Sequence, residues 1–571
     1  MAAASDKNEF VFLPLGGCGE VGMNLNLFGY GPPGDHEWMM ADLGVTFADL
    51  TAPGIDLILP DPAFITERRK KLKGIVFTHA HEDHIGAAAA LWPWLQCPMY
   101  ATPFTAELLR AKFVEAGIAD EAPLHVLPVG GRFSLGPFDL ELIRVAHSIP
   151  EAHALAIRTP AGIHLHTGDW KLDPDPVVGE VADEARLRAL GEEGVMSMTC
   201  DSTNVFVPGT AGSEAAVGDS LTELFGELEG RIAVTAFASN VARVNSVARA
   251  AAAHKRHLVL VGRAMHRIVS AAKACGMLQD MPAIVPEEDA GYLPPDSVVY
   301  LCTGSQGEPR AALARIADGG HPHVSLEDGD TVVFSSRVIP GNEVAIFDIQ
   351  NRLAERGIRV ISEEDHFVHV SGHPCRDELK QLYGWVRPET AVPIHGELRH
   401  LLEHRLYARE LGADHAIIAR NGAMLRLAPG PAEIINHVEN GRLYLDGEAL
   451  TSSDNEALRL RRRLSFSGAI VVTLAVGRRL DLLCHPRVLA LGVPEEDEEE
   501  EGSGPRNRAT EDRLAAVLAD DVDGAFEGLS KRQRADDVAV EEAVRRAVRA
   551  VVRPAWGKRP LIRVEILRID A

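Results

Sequence analysis

Residues 79 to 84 read HAHEDH, an H-x-H-x-D-H string with three imidazoles and one aspartate in six positions, directly after the apolar run GIVF. In extended backbone alternate side chains share a face, so His79 and His81 can reach one cation together. Asp83 and His84 follow in a turn and can reach a second cation, so one hexapeptide can seed a two-metal site. Imidazole and carboxylate suit zinc, and this much oxygen ligation also suits manganese. The plainer alternative is a polar helix start with Asp83 as cap and the histidines merely exposed. Four ligand-type residues behind a buried strand outweigh that alternative. Further ligands are offered by His147 in VAHSIP, Asp169 in TGDWK and His395 in VPIHGE. Each alone would read as structural, and Asp169 after Gly168 as an ordinary Asx-turn.

The elements that must position these residues are legible as short apolar runs. FVFLPLGG, MNLNLFGY and WMMADLG open the chain as strands, each closed by Gly or followed by a turn. FDLELIRVA, HALAIRT and AGIHLHTGD predict further strands, which place His147 and Asp169 at strand ends. The Ala-rich stretch from Gly86 to Leu95 predicts a helix that Pro93 disturbs. From about residue 210, helical stretches alternate with buried strands, as in a separate α/β domain. Ligand-like texture returns near residue 360 with HFVHVSGHPCRDE, so the middle domain reads as inserted. His164 and His166 follow strand alternation and are left out of the site. His321, His323, His366, His400 and His404 read as surface or salt-bridge residues.

At 571 residues the chain is too long for one ordinary domain. With 46% hydrophobic and 25% charged residues it falls in the globular class, which excludes bulk disorder. No apolar run approaches a membrane span and MAAASDKNEF lacks a secretory core, so no membrane partner and a cytoplasmic location are expected. Seven scattered cysteines without a C-x-x-C pair fit a reducing compartment and leave histidine and carboxylate to hold any metal. A net charge of −24 argues against a nucleic-acid partner. That argument is weakened because EEDEEEE at 495–501 supplies seven of the negative charges, and bound cations can attract phosphate locally.

The order DLG, HAHEDH, AHS, TGD resembles the metallo-β-lactamase superfamily, over residues 10 to 205 and again from about 365. CDSTN at Asp201, VSGH at His373 and PIHGE at His395 resemble the motifs of its β-CASP branch. TGSQGEP at 303–309, SSRVIPGNE at 335–343 and HVSGHP at 369–374 resemble the ribonuclease J family within that branch. The resemblance implies an α/β fold: a metallo-β-lactamase αββα sandwich with an inserted β-CASP domain and a small C-terminal α/β domain. The expected boundaries are 1–208 and 353–440 for the sandwich, 209–352 for the insertion and 441–460 for a linker. The C-terminal domain is expected at 461–571, with an acidic loop at 495–505.

The resemblance further assigns His79, His81 and His147 to one metal, and Asp83, His84 and His395 to a second, with Asp169 bridging. It makes Asp42 an orienting residue behind the ligands. His373 would stand by the scissile phosphate as acid or oxyanion stabiliser, positioned by Asp201, while Asp83 or Asp169 would orient the attacking water. Ser305, His369 and Ser371, with His373, would bind the 5′ phosphate end, and Arg337 and Arg310 are further candidates for phosphate contact. The implied activity is two-metal hydrolysis of single-stranded RNA, 5′ to 3′ from a 5′ monophosphate and also internally, in RNA maturation and decay. A homodimer or homotetramer, with partners from an RNA-degradation complex, is implied as well. The competing readings are a DNA-directed β-CASP nuclease, a small-ester hydrolase and a non-catalytic RNA-binding subunit.

Overall fold

The apolar runs at the start of the chain pair into one sheet with the order Glu433–His437, Ala423–Ala428, Glu9–Gly16, Leu25–Gly31, Glu37–Ala41, Leu72–Val76, Met99–Ala101, Leu124–Val126. The structure, a computed structural model, describes residues 8–48, 51–494 and 511–570, so the acidic loop expected at 495–505 lies outside the described residues. The described chain divides into two units, Met1–Thr46 with Ile58–Leu443, and Phe47–Leu57 with Tyr444–Ala571.

A second sheet in the first unit runs Arg132–Leu135, Phe138–Arg144, His153–Thr159, Gly162–His166, Val195–Asp201, Thr390–Ile394, His415–Ala416. The inner faces of the two sheets share one core, in which Phe10, Phe12, Phe28 and Met39 meet Leu140, Leu155, Ile157 and Val392. On the far face of the second sheet, Met198 and Ala391 pack with Leu187, Leu190, Leu379, Leu382 and Tyr383 from the helices Glu184–Glu193 and Arg376–Val386. Strands such as Glu9–Gly16 and Leu25–Gly31 are buried along their whole length because each sheet is covered on both faces. The helix Ala88–Leu95 contains Pro93 near its last turn rather than ending before it. There the missing N–H removes a single helical hydrogen bond, less than a central proline would disrupt.

The insertion leaves after Val195–Asp201 and returns through Arg376–Val386 to Thr390–Ile394. These two strands are parallel neighbours, with Asp201 opposite Ile394. Between them lies a six-stranded parallel sheet in the order Ile284–Val285, His257–Val261, Val298–Cys302, Ile232–Thr235, Thr331–Phe334, Arg359–Ile361. Its central strands read as unbroken apolar runs because helices cover both faces. The strand Arg359–Ile361 pairs with Thr331–Phe334, so the inserted sheet reaches past residue 352, where the sequence expectation ended it. Likewise, the stretch expected as a linker at 441–460 carries the neighbouring strands Arg442–Asp446 and Ala449–Ser452 and the start of the helix Glu456–Ser467.

In the second unit, Ala469–Gly477 lies between Arg487–Leu491 and Leu561–Ile569. Val540, Val544 and Val548 recur every four residues on the helix Asp537–Trp556 and bury against Ile470, Val472 and Leu474.

One buried ion pair ties the insertion to the segment expected to carry site residues. Arg243, fully buried, pairs with Glu214 at 3.0 Å and donates to Ser335 O, to the Ser335 hydroxyl and to Val368 O at 2.6–2.9 Å. Replacing Arg243 with Met leaves the Glu214 charge uncompensated. Urea unfolding is expected to show a loss of about 3–5 kcal/mol, and an unchanged midpoint would contradict this role for the pair.

Candidate metal centre

His79, His147, Asp169 and His395 stand just past the C-terminal ends of strands, and Asp83 and His84 lie in the short helix Glu82–Ile85. Thr78 and His79 follow Leu72–Val76, and His81 caps the short helix Glu82–Ile85. His147 follows Phe138–Arg144, Asp169 follows Gly162–His166, and His395 follows Thr390–Ile394. The turn at Gly168 has φ +56°, and a Cβ there would stand 3.1 Å from Thr78, so glycine suits the close approach of the two loops.

Three ring nitrogens converge in a first cluster. His81 Nδ1 lies 3.1 Å from His79 Nε2 and 3.0 Å from His147 Nε2. In a second cluster Asp169 Oδ2 lies 3.1 Å from His84 Nε2 and 3.3 Å from His395 Nε2, with Asp83 Oδ2 3.4 Å from His84 Nε2. Asp169 and His147 also form a third possible ligand group with His373.

The outer hydrogen bonds decide what these nitrogens can do. Asp42, fully buried, accepts from the Thr78 N–H (2.7 Å), the Thr78 hydroxyl (2.8 Å) and His84 Nδ1 (2.8 Å). The Thr78 oxygen, its proton given to Asp42, accepts from His79 Nδ1 at 3.0 Å. His147 Nδ1 donates to Gly372 O at 2.6 Å, and His395 Nδ1 donates to Asn24 Oδ1 at 3.1 Å. His79, His84, His147 and His395 therefore all carry their proton on Nδ1 and turn an Nε2 lone pair inward. Lone pairs facing one another at this range repel unless a cation lies between them, so the donor set fits divalent ions.

Electrostatics agree for the first cluster; in the second, burial would lower His84, but the charges of Asp169, Asp83 and Asp42 raise it well above the ordinary histidine range. Burial, with the neighbouring imidazoles, holds His79 and His147 well below the ordinary histidine range, and burial takes His81 down to about 4. All three stay neutral at physiological pH, the form that binds metal. Burial alone would also lower His373, but the charge and hydrogen bond of Asp201, then Asp169 and Asp83, raise it to about 9. His373 is thus a cation at neutral pH, its Nδ1 2.8 Å from Asp201 Oδ2 and 3.9 Å from Asp169 Oδ2. The other Asp201 oxygen accepts from the Thr203 N–H and hydroxyl at 2.9 and 2.7 Å. Asp201 consequently contacts His373 and lies outside the two ligand clusters.

Among the expected substrate residues, the Ser371 hydroxyl accepts from Asn204 Nδ2 at 2.8 Å and from the His373 N–H at 3.2 Å. His369 Nδ1 is sealed from solvent without a partner. Burial first, then the charges of Arg243, Arg337 and Lys171, hold His369 well below its ordinary range. Ser305 is buried just beyond Val298–Cys302. Arg337 is exposed, and its carbonyl accepts from Gln306 Nε2 at 2.8 Å; Arg310 is also exposed.

Several residues differ from expectation or were missed. His404 is fully buried rather than at the surface, bridging the Ser202 hydroxyl (2.9 Å) and the Tyr383 hydroxyl (3.0 Å). It lies on the inward face of the helix Leu398–Glu410, and burial takes it down to about 4. His164 and His166 bond to Ser197 and Thr199 in the second sheet. Sequence reasoning passed over Asn24, which also donates to Asp83 O at 3.0 Å. Its one signal was an amide interrupting the apolar run MNLNLFGY.

Comparisons with known proteins cover most of the chain. A β-lactamase superfamily domain matches residues 50–187 and a ribonuclease J β-CASP domain residues 229–353. A Zn-dependent metallo-hydrolase RNA specificity domain matches 357–419, and a ribonuclease J C-terminal domain 456–569. A ribonuclease J of Sinorhizobium meliloti is 48% identical over 565 residues, 99% of this chain and 98% of that one. Ribonuclease J of Corynebacterium glutamicum is 36% identical, covering 98% of this chain and 76% of that one. For Thermus thermophilus ribonuclease J the identity is 36%, covering 82% and 83%.

Replacing Asp42 with Asn, or Asn24 with Ala, removes an acceptor that fixes a histidine tautomer. Metal affinity, followed by chelator competition and elemental analysis, is expected to fall about 10- to 100-fold in each variant. Undiminished affinity in both would show that the tautomers are set by other means.

Proposed function

The chain belongs to the ribonuclease J family, and from that premise we propose that it hydrolyses RNA phosphodiester bonds with two divalent cations, zinc or manganese. Its fold is a metallo-β-lactamase sandwich with a β-CASP insertion and a ribonuclease J C-terminal domain. The observation that carries the proposal is the pair of inward-facing ligand clusters, with Asp169 in one and within reach of His147 in the other.

On this reading His79, His81 and His147 hold one cation, Asp83, His84 and His395 the other, and Asp169 stands between them. Cations bound there supply Lewis-acid charge to the phosphate and make water nucleophilic at neutral pH. Asp83, part-exposed at the mouth of the cluster, or Asp169 would orient the attacking water by accepting its hydrogen bond and would take the one proton released on attack. His373, held cationic by Asp201, donates Nε2–H to a phosphate oxygen or to the departing 3′ oxygen, which leaves the phosphate on the 5′ end of the product.

The exposed Arg337, whose charge reaches His369, together with His369, the Ser371 hydroxyl and Ser305, is the set we assign to a terminal 5′ phosphate. A terminal anchor of that kind favours 5′ to 3′ removal of mononucleotides, with internal cleavage when RNA bypasses it. Among the described residues no helix is long and apolar enough to cross a membrane, and all seven cysteines are free. Both features accord with a cytoplasmic enzyme. Family membership supports a homodimer or homotetramer acting with RNA-degradation partners.

The test uses single-stranded RNA labelled at its 5′ end and carrying a monophosphate or a triphosphate, with single-stranded DNA in parallel. Wild type is expected to release 5′ mononucleotides, faster from the monophosphate, while His81→Ala releases none and binds less metal. His373→Gln should retain metal and lose about 10²- to 10³-fold in kcat. His369→Ala should reduce the preference for monophosphate over triphosphate more than it reduces kcat. Cleavage of DNA alone, or of neither polymer by metal-loaded protein, would sink the reading.

A further inference from the structure

Building on the ribonuclease reading, we propose that the C-terminal unit carries its own groove for single-stranded RNA, formed by basic faces of the helices Glu456–Ser467 and Asp537–Trp556. On the second of these helices the valine row is turned into the core, which leaves Arg546, Arg549 and Arg553 exposed. With Arg463 from the first helix and Lys558 and Arg559 from the following turn, they line a groove of about 910 Å³. Arg545, on the same wall, is paired with Glu541 at 2.9 Å. Among the described residues, no carboxylate pairs with any of the six. In a chain of net charge −24, six cations on one concave surface, without a carboxylate partner among the described residues, repel one another and stand ready for a polyanion.

A second observation narrows the polyanion. Lys558 Nζ donates to Phe466 O at 3.0 Å and stands 4.5 Å from the centre of the Phe466 ring and 5.3 Å from that of Trp556, and Phe466, beside the groove lining, is 69% exposed. Cations that follow a phosphate backbone, beside an exposed aromatic ring on which a base can stack, form the chemistry that holds unpaired strands. A duplex offers no unstacked base for that ring. Six spread cations also exceed what one mononucleotide phosphate can engage. The groove thus retains long RNA by its backbone, without reading sequence.

The experiment compares full-length, metal-loaded wild type with two paired variants of exposed residues, Arg546→Gln with Arg549→Gln, and Arg553→Gln with Arg559→Gln, and with Phe466→Ala. Binding of a hydrolysis-resistant, phosphorothioate-linked 30-nucleotide RNA is measured across a salt series, and hydrolysis of a 5′-monophosphorylated pentanucleotide is followed alongside. Losing two phosphate contacts should lower the slope of log K against log salt by about 1.4 and weaken binding about 25-fold at 0.1 M salt. Phe466→Ala should weaken binding while leaving that slope in place. Pentanucleotide hydrolysis should be unchanged in all three variants. Unaltered affinity and slope in both arginine pairs would overturn the proposal. Loss of self-association in the ultracentrifuge, with RNA affinity intact, would also overturn it and make the groove an interface between copies. If wild type binds the 30-mer with its full salt slope yet leaves the pentanucleotide intact, the catalytic reading fails while the groove stands.

Discussion

The buried carboxylate of Asp42 is the group on which the rest of the centre depends. One of its oxygens accepts from His84 and from the Thr78 hydroxyl, and the other from the Thr78 N–H. Through Thr78 it also sets the tautomer of His79, so a single anion outside the ligand clusters orients one histidine in each of them. Its backbone sits at φ +64°, a conformation that costs a non-glycine residue of order 1 kcal/mol or more. The loop beside it is equally constrained, since a Cβ on Gly44 would stand 1.6 Å from Asp83 O. The ADLG loop and the HAHEDH loop are in that sense one packed object.

A second buried carboxylate performs a similar task for the insertion. Glu378 accepts from the N–H groups of Leu172, Ala211 and Cys375, each at 2.8 Å. Those groups lie just after Asp169, at the exit into the insertion, and beside His373. Together with the Arg243–Glu214 pair, Glu378 fixes the returning segment against the sandwich that carries the histidines. An anion hydrogen-bonded to three amides gains most where the dielectric is low, which makes such groups effective ties between distant segments.

Charge is organised locally rather than globally. The whole-chain excess of negative charge concealed both the cations around His369 and the arginine groove of the C-terminal unit. Net charge sums over the molecule, while a phosphate responds to groups within about a Debye length.

By itself the sequence determined the ligand types and their order. Period-two alternation puts His79 and His81 on one side of the chain, and apolar runs place His147 and Asp169 after strands. It also separated a middle α/β segment, because ligand-like residues stop near 210 and resume near 360. Only the tertiary structure decided which nitrogen of each histidine faces the site. The partners that set the tautomers lie far off in the chain, Gly372 being 225 residues from His147 and Asn24 371 residues from His395. The same holds for the burial of His404, the extension of the inserted sheet to Ile361, and the groove that gathers Arg463 with Arg546 and Arg549. Local periodicity records which face of an element is apolar. It carries no information about which distant polar atom that element will meet, and in this protein those meetings define the chemistry.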